Sequence, residues 1–161
     1  MRKLIVGLLS LIFVGCATTY KGPETGELAR IHFKLEEGLK DGPTVSVFEG
    51  LECSPSEYGE YIGDLWDGNW TEPSTLEFTV NVPANKMLSF EFFQRTEFTG
   101  EMVLEGQFCR NIFAFVPESG AHYTFTYGNC DYKGINTKTK EAIKTQKPIG
   151  KCHSSRYFGA Y

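Results

Sequence analysis

Residues 75–93 read TLEFTVNVPANKMLSFEFF. Leu76, Phe78, Val80 and Val82 alternate with Thr75, Glu77, Thr79 and Asn81. After a break, Leu88, Phe90 and Phe92 alternate with Ser89 and Glu91. A strand sends successive side chains to opposite faces, so each run offers one face to a core and the other to water. The break, VPANK at 82–86, holds the Pro and Asn that reverse a chain. Two such runs around one turn point to antiparallel β structure.

The same period recurs on both sides. In 30–35, Ile31, Phe33 and Leu35 alternate with Arg30, His32 and Lys34; in 122–127, Tyr123, Phe125 and Tyr127 alternate with His122, Thr124 and Thr126. Shorter or less regular strand candidates lie at 44–48, 102–106 and 112–116. Turn signals, KDGP at 40–43 and VPESG at 116–120, divide them. Seven to eight short strands at this spacing predict an all-β, antiparallel β-sandwich. Thirteen Phe and eight Tyr supply its core. Helix is scarce: 139–146 is the best candidate, and Ser54-Pro55-Ser56-Glu57 suits a single turn.

The N-terminus is an address. Arg2 and Lys3 precede a run, 4–14, broken only by Gly7 and Ser10. That length suits a signal-peptide core and falls short of the roughly 20 residues a membrane helix needs. The run ends Phe13-Val14-Gly15-Cys16, which resembles the lipobox of bacterial lipoproteins, with Phe13 where Leu is usual. The resemblance implies that 1–15 is removed and that Cys16 carries lipid. Residues 16–27 would then be a flexible tether and 28–161 a single sandwich domain. Ala17 after the cysteine favours the outer membrane, facing the periplasm, in a Gram-negative cell. Several acyl chains give durable anchoring where one does not.

Of five cysteines, lipidation of Cys16 leaves Cys53, Cys109, Cys130 and Cys152. Four cysteines in an exported domain predict two disulfides with three possible connectivities. Bonds that join sheets or tie down a tail favour Cys53–Cys109 and Cys130–Cys152, although a simple hairpin would bring Cys109 to Cys130. No CxxC spacing occurs, which disfavours a structural zinc or a thioredoxin-like dithiol.

Charge is uneven. Residues 17–132 hold seven bases against nineteen acids, a net of −12, and residues 133–161 hold seven bases against Glu141 alone, a net of +6. The basic segment 133–161 reads either as an arm for anionic lipid or polymer, or as a wet tail folded back on an acidic body. Its spaced lysines favour the second.

The stretch CRNIFAFVPESGAHYTFTYGNC, 109–130, places Cys109, Phe115, Pro117, Gly120, Tyr123 and Cys130 in a pattern similar to that of many small bacterial envelope lipoproteins. In those families an earlier strand often ends in a cysteine, as Cys53 does after VFEGLE. The resemblance implies a β-sandwich and an envelope address and is silent on activity. Read from the residues, Pro117 and Gly120 make a hairpin connection and Tyr123 plugs the core after it. Within it, SGAHY at 119–123 is similar to a strand of the membrane-bound inhibitors of c-type lysozyme.

Candidate chemistry is thin. GDLWDGNWTEP, 63–73, sets Trp66 and Trp70 around Asp67 in a turn; these three are the candidate binding surface, or else a cross-paired hairpin. His32, His122 and His153 are isolated and no HExxH, GxSxG, Walker or dinucleotide glycine motif occurs. The expectation is a lipid-anchored envelope protein of non-enzymatic type, a binding or structural accessory with no cofactor, no metal and no nucleic acid. Its partners would be the membrane, through the anchor, and an envelope protein or glycan. Inhibition of a c-type lysozyme or another cell-wall hydrolase is the alternative.

Overall fold

The computed structural model describes residues 19–53, 58–66, 68, 72, 74, 76–95, 108–150 and 152–154. Among them lie eleven strands and no helix: β1 (Leu28–Leu35), β2 (Thr44–Glu49), β3 (Glu52–Cys53), β4 (Tyr58–Asp64), β5 (Glu77–Pro83), β6 (Leu88–Arg95), β7 (Phe108–Phe115), β8 (His122–Gly128), β9 (Asp131–Asn136), β10 (Ile149–Gly150) and β11 (His153–Ser154). Eight of these are six residues or longer, in line with the seven to eight that alternation predicts. One sheet has the order β5-β1-β8-β9, a second β11-β4-β2-β6-β7, and β10 pairs with β3. Most pairings are antiparallel; β1–β8, β3–β10 and β4–β11 are parallel.

The two larger sheets face each other as a sandwich. Ile31, Phe33, Phe125 and Tyr127 of one meet Val45, Phe90, Phe92 and Phe113 of the other, all buried. Phe113 stacks on Phe125 at 4.7 Å between ring centroids and on Tyr132 at 4.2 Å, and Phe33 meets Phe92 edge-on at 5.8 Å. Truncating one such ring to Ala costs about 3–5 kcal/mol in a core of this kind. Gly134 lets β9 lie close: a Cβ there would come within 2.4 Å of a Phe125 ring carbon.

Several expectations change. The connection after VPESG does not close a hairpin, because β7 belongs to the five-stranded sheet and β8 to the four-stranded one. Tyr123 is nevertheless buried against Phe115. The disulfides are Cys53–Cys152 and Cys109–Cys130, with Cα atoms 4.7 and 5.2 Å apart, in place of the expected Cys53–Cys109 and Cys130–Cys152. The reason is topological. Cys109 shares a face of β7 with Phe113 and Phe115 and looks across the sandwich at the β8–β9 turn that carries Cys130. Cys152 follows β10, which runs beside β3, where Cys53 lies. Strands β4 and β9 go beyond the strand candidates above, and candidate strand 102–106 and the turn at 54–57 lie outside the described residues.

Ser89 and Glu91, placed in water by alternation, are buried at 0% and 1% exposure. A third layer covers them. Phe48, Cys53 and Cys152 form a second small core there with Ile112 packed against it. Ser89 Oγ donates to the Gly50 carbonyl at 2.6 Å. Arg110 Nε donates to Glu91, and the same guanidinium donates to the Cys152 carbonyl.

Candidate functional site

The clearest departure from a plain sandwich lies at the flank where β9 and β7 end their sheets. β8 turns into β9 through Asn129 and Cys130, whose φ values are 47° and 62°, with Gly128 opposite Asp131. Two central residues at positive φ make the turn whose twist suits a hairpin. Asn accepts that conformation readily, whereas Cys there is strained. The Cys109 bond and an Asn111 Nδ2 donation to the Cys130 carbonyl at 2.8 Å hold it.

Beyond β9 the chain forms a strap. The predicted helix at 139–146 is not there: Lys140, at φ 63°, closes a single turn onto the Asn136 carbonyl at 2.8 Å, and the bonds beyond it run to neighbouring strands. Asn136 N–H donates to the Glu141 carbonyl and Ile143 N–H to Gly134, each at 2.9 Å. Ala114 and Gln146 exchange both bonds at 2.8 Å. The strap thus bonds first to the edge of β9 and then to the edge of β7, closing that side of the sandwich. Ile143 packs on the core, and the Tyr132 and Thr145 hydroxyls lie 3.1 Å apart. β10 then pairs with β3, and Cys152 is fixed by its disulfide.

The outward side of this flank is basic. Lys133, Lys138, Lys140, Lys144 and Lys147 are all exposed, with Glu141 the one acid from 133 to 150. Continuing the antiparallel register from Ile135↔Ala142 sets Lys144 opposite Lys133. Neither ion pair recorded among the described residues, Glu91–Arg110 and His32–Glu77, takes up these lysines. Of the two readings of the basic segment, its described part folds back on the body, yet its charges stay in water.

The opposite flank receives Thr19 and Tyr20. Thr19 bridges Tyr61 in parallel, and Tyr20 N–H donates to the Tyr61 carbonyl at 2.7 Å. The Tyr20 hydroxyl reaches across to the Asn81 carbonyl at 3.2 Å, tying β4 of one sheet to β5 of the other. The stretch expected as a flexible tether, 16–27, is therefore bonded to the body from Thr19 onward. Burial, then Glu60 and Glu49, push the Tyr20 phenol up to about 12. A cleft of about 620 Å³ opens beside it between Lys21, Glu49, Glu60 and Lys86.

The other candidates are scattered. Trp66 is half-buried next to the fully buried Leu65; Asp67, Trp70 and Cys16 lie outside the described residues. Ser119, Gly120 and His122 are exposed at a groove of about 510 Å³ that also includes Lys138, while Tyr123 is buried. His32 sits on the outer face of its sheet with Nδ1 3.1 Å from the Thr79 hydroxyl and Nε2 3.3 Å from Glu77. Among the described residues no three His, Cys, Asp or Glu gather as metal ligands. Compared with protein-family models, with characterised proteins and with solved structures, the chain finds no match. Sequence reasoning found the lysines but missed the strap that displays them. Its available signal was Tyr-Gly-Asn at 127–129, a turn directly after a strand, which marks 131–136 as a returning strand.

Proposed function

We propose that this chain is a lipid-anchored protein of the bacterial cell envelope whose sandwich serves as a binding module rather than an enzyme. One observation carries it: Cys53, Cys109, Cys130 and Cys152 bond to one another, so Cys16 is the one cysteine of five that those two bonds do not use. Two disulfides suit an oxidising compartment, and the signal-like 1–15 ends at the cysteine left over. The outer membrane, periplasmic side, is the address that Ala17 favours. Cys16→Ser is the test. The parent incorporates radiolabelled palmitate and pellets with membranes; the variant incorporates none and is uncleaved or soluble. A processed variant still in the membrane fraction overturns the reading.

A second reading, inhibition of a c-type lysozyme, is favoured by the exposure of Ser119, Gly120 and His122 beside a groove. Lysozyme turnover unchanged at micromolar protein removes it.

A further inference from the structure

We infer that the lysine strap is a binding strip for an anionic polysaccharide, held on the side of the molecule that faces away from the anchoring membrane. The orientation rests on the lipid-anchor reading above; the strip itself does not. Cys16 is three residue steps from Thr19, and three steps of chain reach at most about 10 Å. Thr19 is bonded to the edge of β4. The lipid therefore lies against the flank of β4 and β5. From β5 to β9 there are three strand spacings, roughly 14 Å, so the strap rides on the far flank. A basic strip so placed does not serve adhesion to its own bilayer.

The chemistry selects the partner. Lys133 and Lys144 stand opposite one another on neighbouring segments, and like charges so placed repel unless a counter-anion lies between them. Lys138, Lys140 and Lys147 extend the positive row. Residues 133–150 contain no Phe, Tyr or Trp, so the strip has neither the aromatic anchors that dominate protein interfaces nor the stacking platforms of single-strand nucleic-acid binders. Five lysines against Glu141 within the strip, with Glu118 beside Lys138 and Lys144, leave a net positive surface that suits a long chain of carboxylates met in many weak contacts. The strap does not need to fold on binding, because both its ends are already bonded to the body.

The test uses the purified full-length protein and immobilised alginate, a carboxylated polysaccharide, with neutral dextran as the control matrix. The parent is expected to bind alginate, release as salt rises and ignore dextran. Lys133→Gln/Lys144→Gln/Lys147→Gln should weaken binding by more than about tenfold, since each lysine near an anionic surface contributes appreciably. Lys21→Gln/Lys86→Gln, a charge loss on the tether flank, should change it by less than about twofold. Equal losses in the two variants, equal retention on dextran, or tighter binding to phosphatidylglycerol vesicles than to alginate would each overturn the proposal. The alginate arm is read without a bilayer, so absence of alginate binding overturns the strip and leaves the lipid anchor to the Cys16 fractionation.

Discussion

The two sheets carry the same alternation but treat their outer faces differently. On β6 the outward residues Ser89 and Glu91 are sealed under a disulfide and a short strand pair. On β1 and β8 the outward Arg30 and His122 stand in water, and Lys34, Thr124 and Thr126 are half-exposed. Among the described residues each sheet holds a carboxylate contact on that side, Glu91 with Arg110 and Glu77 with His32. Glu91 has 1% of its side chain exposed, whereas Glu77 has 60%. Period two says which residues share a face. Whether the polar face stays wet is decided by a segment some sixty residues further along, at 149–152.

Removing the cover gives the largest expected effect. The Cys53–Cys152 bond closes a separation of 99 residues, the Cys109–Cys130 bond one of 21. On chain-entropy grounds the first stabilises by about 4–5 kcal/mol and the second by about 3. Cys53→Ser/Cys152→Ser should therefore lower the urea midpoint more than Cys109→Ser/Cys130→Ser does. Amide exchange should quicken in β3, β10 and β6 and stay slow in β1 and β8. The contrast between the faces breaks if the exchange increase spreads evenly over both sheets.

Glu91→Ala comes next. The mutation leaves the Arg110 guanidinium facing an apolar gap. Taking one partner from a buried pair costs about 3–5 kcal/mol, and Arg110, with 37% of its side chain exposed, places this case near 3. The measurement is the unfolding free energy in urea. Because Arg110 also donates to the Cys152 carbonyl, the loss should shrink in the Cys53→Ser/Cys152→Ser background. Full additivity would mean that cover and ion pair act independently.

This coupling also explains what was legible in the sequence. The strand runs 30–35, 77–82, 88–92 and 122–127 were readable because they pair with neighbours of strong period two, and their inward Phe and Tyr residues did build the core. The cover was not readable. β3, β10 and β11 are two residues long, too short for any period, and they form only because Cys53 and the returning chain meet. The disulfide pairing was lost for the same reason, since it depends on which sheet β7 joins. The strap reads as a helix in the sequence because alternation cannot show that both sheet edges are open to backbone partners. The lysines were visible as composition, but their display on one flank depended on those edges.

The smallest effect sharpens the contrast from the open side. Glu77 contacts His32 at 3.3 Å, and His32 also has the Thr79 hydroxyl within 3.1 Å. Water reaches both partners, so an exposed pair of this kind contributes about 0–1 kcal/mol. Glu77→Gln should shift the unfolding free energy by less than about 0.5 kcal/mol, and by less again in 1 M salt, where exposed charges are screened. The alternating patterns that place Glu77 and Glu91 are alike, and so are their charges. A loss at Glu77 comparable to that at Glu91 would mean that the four-stranded sheet is also covered in solution. A loss confined to Glu91 makes the cover, not the strand it lies on, the source of the difference.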